Sequence, residues 1–163
     1  MMDSYINVPV ASKAQDARRT EAIKLYGLDA FEGMRRAGEL TARCLDGVSD
    51  LVRAGTALAQ INAFVLEFAA ANDATPATLG YEGYQYACCT SVNHVVCHGF
   101  PNEKKLRDGD IVNVDVTLIL DGWHGDSSRM YVVGKSKRKA ARLIQIAHEA
   151  MMQGIRAVRP GAR

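Results

Sequence analysis

The sequence predicts an α+β fold in which an antiparallel sheet carries helices packed on one face. Three observations lead there. Two helical patterns precede the strands and a third follows them, so helices and strands are segregated rather than alternating as a parallel sheet would need. The run Asp110–Gly134, DIVNVDVTLILDGWHGDSSRMYVVG, is two apolar-rich stretches split by Asp121-Gly122, a pair that suits a two-residue hairpin turn with positive φ. A length of 163 residues suits one domain with a proper core.

Composition narrows the function classes. A net charge of +2 is too small to argue for nucleic acid or a membrane surface. No apolar run is long enough to span a bilayer. The start, MMDSYINVPVASKAQDARR, lacks the basic-then-apolar layout of a signal peptide, so a cytoplasmic location is expected. The four cysteines, Cys44, Cys88, Cys89 and Cys97, form no C-x-x-C, and reduced thiols fit better than disulfides or a zinc knuckle.

Residues 1–20 are polar and aperiodic, an extended or mobile leader ahead of one domain spanning 21–163. From Leu28, the residues Phe31, Met34, Ala37, Leu40, Cys44, Leu45, Val48, Leu51 and Val52 recur at helical spacing, and Gly55 should stop that helix. Thr56 then reads as the N-cap of a second helix with Leu58, Ile61, Val65 and Phe68 inward, fading at Ala71-Asn72-Asp73. Residues 75–86, TPATLGYEGYQY, are a loop whose tyrosines either line a pocket or pack on the surface. A strand pair is expected around ACCTSV and VVCHGF, bending near Asn93, then a polar connection, then the hairpin. A third helix over 136–157 turns Ala140, Leu143, Ile144, Ala147, Met151 and Ile155 to one side, and Pro160-Gly161 ends it.

The hairpin holds the chemistry. A two-residue turn sets Leu120 opposite Trp123, Thr117 opposite Asp126 and Asp115 opposite Ser128. Asp115 and Asp126 are then diagonal neighbours on one face, with backbones roughly 7–8 Å apart. Two bare carboxylates that close repel, and a divalent cation between them removes that cost. The pair is therefore either a cation site or two solvated aspartates on an exposed face. Thr117 and Asn113 share that face, Thr117 serving either as a hydrogen-bonding partner or simply as a β-branched strand former. His98, in Cys97-His98-Gly99, is either a surface residue or a donor to a developing charge. His124 alternates with Asp126 and is a weaker candidate; His94 and His148 fit the surface, and Cys97 a small core position. No phosphate-binding glycine loop or nucleophile elbow is present.

The segments TSVNHVVCHGFP and LRDGDIVNVDVTLILDGWHGDSSRMYVVG, with IKLYGLDAFEGMRRAGELTARCLD upstream, closely resemble the type I methionine aminopeptidases, from about Thr20 to Arg163. The resemblance implies the first half of a pita-bread (creatinase/aminopeptidase-like) fold, with residues 21–163 the N-terminal portion of a peptidase M24 catalytic domain. It implies two divalent metal ions (cobalt, manganese, iron or zinc). Two of the family's metal ligands fall on Asp115 and Asp126, and its first substrate-contacting histidine on His98. Tyr81, Tyr84 and Cys89 match its methionine side-chain pocket. Thr78 stands where many members have cysteine, and His94 where glutamate is common.

The implied activity is hydrolytic removal of the N-terminal methionine from nascent proteins, with ribosome association in view and no specific nucleic acid or membrane partner. The family's remaining ligands, a histidine and two glutamates, and its second substrate histidine are expected beyond Arg163. This chain alone should therefore bind cations weakly and hydrolyse little. A non-catalytic pita-bread-like binding module or a decaying gene fragment is the alternative, and retention of Asp115, Asp126 and His98 together favours the enzyme lineage over it.

Overall fold

The structure, a computed structural model, describes residues 5–9 and 22–162. Strand β1 (Tyr5–Pro9) pairs antiparallel with β2 (Ala22–Tyr26) as a separate two-stranded sheet. Thus part of the expected leader is a strand, which its sequence did not single out; the rest of that leader lies outside the described residues.

Helix α1 (Leu28–Val48) buries Ala30, Ala37, Leu40, Thr41, Cys44, Leu45 and Val48. Phe31 and Met34, expected inward, are exposed. The stripe that meets the sheet runs instead through Gly33, Ala37 and Thr41, small residues lying over Trp123 and Gly125. The helix also ends earlier than Gly55. Tight turns follow Val48, and Gly55, at φ +92°, donates its N–H to the Leu106 carbonyl at 2.8 Å. It serves a chain crossing rather than a cap. Helix α2 (Leu58–Ala71) has Ala57, not Thr56, at its N-cap, where the Ala57 N–H donates to Gln60 Oε1 at 2.8 Å. Leu58, Ile61 and Val65 are buried as their spacing requires.

The main sheet is built on one strand. β5 (Ile111–Leu120) pairs along its whole length with β6 (Trp123–Val132). Its other edge is shared end to end by the short strands β3 (Thr75–Pro76) and β4 (Cys89–Val92), all antiparallel. The predicted register is present: Leu120 faces Trp123, Thr117 faces Asp126, and Asp115 faces Ser128. Asp121 and Gly122 both have positive φ, +51° and +81°, as a two-residue turn of this hand requires. Val112, Val114, Val116 and Leu118 are fully buried and form one core with Leu40, Leu45, Val48, Ile61 and Val65.

Three buried contacts fasten α1 to β6. Thr41 Oγ1 donates to the Gly125 carbonyl at 2.8 Å, and Tyr131 Oη donates to the Leu45 carbonyl at 2.5 Å. Gly125 meets the α1 backbone so closely that a side chain there would collide with the Ala37 carbonyl.

VVCHGF is not a strand. His98 sits at φ +53°, which breaks an extended run; Val95 N–H donates to the Val92 carbonyl at 3.1 Å in the turn, and Gly99 returns to β4, accepting the Thr90 N–H at 2.7 Å. Cys97 is accordingly exposed, not in the core. Helix α3 (Arg138–Ala157) forms where expected, yet it buries no residue, and Leu143, Met151 and Ile155 on its apolar side are exposed. The helices that cover the sheet are α1 and α2. No helix among the described residues is long and apolar enough to cross a membrane.

Gly125→Ala should cost about 1–3 kcal/mol, because the added methyl has no room to relax. Gly38→Ala, mid-helix and with nothing near its Cβ position, should instead gain about 0.5–1 kcal/mol. Urea unfolding of both variants beside the parent chain checks the pair.

Candidate active site

One cleft of about 870 Å³ gathers the residues that the sequence singled out. Its floor is the polar face of β5–β6, carrying Asp115, Thr117 and Asp126. One wall is the loop before β4, with Thr78, Tyr81, Tyr84 and Tyr86, and Cys89, the first residue of β4, lines the cleft beside Asp115. His98 and Phe100 come from the loop after β4. A volume of this order suits a small ligand or a side chain with its flanking backbone.

Each side chain is placed by a local cause. Asp115 points into the cleft because Val114 and Val116 point into the core. Asp126 joins it because the two-residue turn keeps the strands in phase. His98 is presented by a strained left-handed backbone. The next residue anchors it, since Gly99 N–H donates to Ser91 Oγ at 3.2 Å and a side chain at 99 would strike the Thr90 carbonyl. Tyr84 is oriented by its hydroxyl, which lies 3.0 Å from the Cys88 carbonyl and 3.3 Å from Cys89 Sγ. Thr78 Oγ1 donates to the Tyr86 carbonyl at 2.9 Å, closing the tyrosine loop on itself.

Electrostatics mark Asp115. Burial first, and then the Asp126 carboxylate beside it, raise its carboxyl above the usual aspartate range, while His98 acts in the opposite direction. A cation between the two carboxylates would reverse the repulsion, and hard oxygen donors of this kind suit divalent metals. The donor set thus fits a divalent cation, but as part of a coordination shell. Among the described residues, no three His, Cys, Asp or Glu side chains converge as a complete metal site.

Of the remaining candidates, His124 shares the strand face of Asp126 but is not among the residues that line the cleft; His94 and His148 are exposed. Asn113 bonds sideways to Ser128 Oγ at 3.3 Å. Tyr86, one of the loop tyrosines that the sequence offered as pocket liners, does line the cleft, whereas Phe100 escaped sequence reasoning, because it follows a left-handed residue in a loop without periodicity.

The sequence pattern of the family described as Metallopeptidase family M24 matches residues 32–163. The chain belongs to family M24. It is 50% identical to a methionine aminopeptidase of Rickettsia prowazekii over 86% of this chain and 54% of that protein. It is 41% identical to the methionine aminopeptidase of Escherichia coli K12 over 86% of this chain and 54% of that protein. The chain therefore spans about half the length of the curated relatives it matches. The crystal structure of the Rickettsia protein superposes with a TM-score of 0.85, covering 86% of this chain and 57% of that one. A prolidase from Pyrococcus furiosus, 19% identical, matches at a TM-score of 0.68 over 83% of this chain and 39% of its own length. That likeness shows a shared pita-bread fold and nothing more.

In metal-free buffer, ionising Asp115 costs the M24 fold stability. Its folded pKa lies above the unfolded value, so the folded state binds that proton more tightly and stability falls as pH rises through the window between them. Asp115→Asn should consequently raise Tm at neutral pH and leave it little changed in mild acid, read by thermal melts at both.

Thiol chemistry should separate the cysteines. Burial pushes Cys44 up to about 11 and raises Cys88 and Cys89 as well, whereas Cys97 is exposed. Ellman's reagent should titrate one thiol quickly in the native chain and four in denaturant, and Cys97→Ser should abolish the fast phase.

Proposed function

We propose that this chain carries part of the catalytic unit of a methionine aminopeptidase, a divalent-metal hydrolase that removes the N-terminal methionine from nascent proteins. One observation carries the reading: Asp115 and Asp126 share one face of a hairpin beside His98, in a cleft also lined by tyrosines and by Cys89, the strand partner of Asp115. An unbranched thioether suits that lining, since sulfur makes favourable contacts with ring edges. Tyr81, Tyr84 and Cys89 would hold the methionine side chain, and Asp115 and Asp126 would hold two cations of cobalt, manganese, iron or zinc. When bound, such ions supply a Lewis acid and water of lowered pKa. His98 donates a hydrogen bond to the substrate carbonyl oxygen as negative charge develops there. Nascent chains as substrate set the protein in the cytoplasm, near the ribosome.

Asp115 must shed its proton before a cation can settle, so binding should tighten as pH rises through its ionisation. Two carboxylates complete only part of a two-metal shell. The 163-residue chain alone is therefore expected to bind Mn²⁺ weakly and to turn over Met-peptides negligibly. Isothermal titration with Mn²⁺ tests the site. A binding heat lost in both Asp115→Ala and Asp126→Ala, with folding intact by circular dichroism, supports it. Equal binding by the parent and both variants would sink it.

A further inference from the structure

The cleft has a second aromatic contact that the metal and substrate roles do not use. Phe100, two residues after His98, stacks on Tyr86 with ring centroids 5.9 Å apart and an interplanar angle of 28°. It also meets Tyr84 at 5.6 Å and 47°, and Tyr84 meets Tyr86 edge-on at 5.5 Å and 70°. Three rings thus close a triangle across the cleft, one from the histidine loop and two from the tyrosine loop. Such pairs favour these offset and edge-on geometries. Phe100 nonetheless stays 61% exposed while lining the cleft, so a ligand in the cleft would meet its ring.

Beyond Phe100 the histidine loop is pinned to the body of the fold, where Pro101 is buried and the Asn102 carbonyl accepts the Ala59 N–H at 2.9 Å. His98 is exposed at φ +53°, and the backbone anchors to β4 lie at Gly99. A non-glycine residue in that region persists only where its surroundings over-determine it. The anchors at Gly99 fix the loop's height over the sheet; the Phe100 ring fixes it against the wall that receives an apolar side chain.

We infer that Phe100 is a positioning residue: its stack with Tyr86 and Tyr84 ties the apolar wall of the cleft to His98, so that filling the cleft orders the imidazole. The inference rests on the peptidase reading for the identity of the occupant, a methionine side chain with a free amine. It names a coupling that this reading does not require.

The test is imidazole NMR on the full 163-residue chain, with methioninol as the probe because it carries the side chain and amine but no scissile bond. In the parent chain, methioninol should shift the Phe100 ring and His98 signals together. Phe100→Ala should shift or broaden the His98 signal and uncouple it from methioninol, leaving His124 and His148 in place; Phe100→Tyr should restore the parent behaviour. Should Phe100→Ala disturb His124 and His148 as well, Tyr86→Leu, which removes the stacked ring from the other side, carries the same comparison. An unmoved His98 signal in these variants overturns the inference, as does methioninol shifting the Phe100 signal without His98, or neither. Mn²⁺ titration of the same samples separates the two ideas: binding lost in Asp115→Ala alongside an indifferent His98 leaves the peptidase reading standing and this one fallen.

Discussion

The phase of one β-ribbon governs everything else in this fold. Side chains on a strand alternate strictly, so successive residues of β5 turn either to the core or to the face that carries the cleft. Val112, Val114, Val116 and Leu118 are wholly buried, which forces Asn113, Asp115 and Thr117 onto the opposite face. The Asp121-Gly122 turn transmits that phase to β6. A turn one residue longer would rotate Asp126 into the helices, where an ionised carboxylate has no partner. The site is thus a by-product of core burial, held by the same hydrophobic free energy that holds the fold.

Around this ribbon, the fold resolves a crowding problem. α1 must cross β6 closely to bury Val114 and Val116, and it does so through Ala37 and Thr41 against Gly125. The Thr41 hydroxyl satisfies a strand carbonyl while sitting in a helix, so the close approach leaves no polar group stranded there. On the remaining edge, β3 and β4 share β5 between them. The loops that leave those short strands, carrying Tyr81–Tyr86 and His98–Phe100, are in consequence brought to the same side of the sheet.

What was legible in the sequence followed from strict periodicity. The hairpin register, the turn, the shared face of Asp115 and Asp126 and the inward residues of α2 all came from counting twos and from helical spacing. What was not legible depended on backbone states and on neighbours. Nothing in VVCHGF announces that His98 turns left-handed, because β-branched residues and cysteine read as strand former in isolation. Phe31 and Met34 looked like core by spacing; the small residues that bring α1 against the sheet decided otherwise. Thr56 looked like a cap, but its place was taken by Ala57 with help from Gln60. The role of Phe100 needs the three-dimensional meeting of two loops, and no local pattern encodes it.

The backbone at His98 sets stability against the role proposed for its side chain. Glycine adopts that left-handed conformation without steric cost, and asparagine does so more readily than histidine. Either would relax the loop while deleting the imidazole. A library screened for heat resistance alone would drift toward those replacements at this position, enriching well-folded chains that have lost the proposed donor. Hardening this scaffold therefore calls for a functional readout alongside the thermal one, with residue 98 held constant.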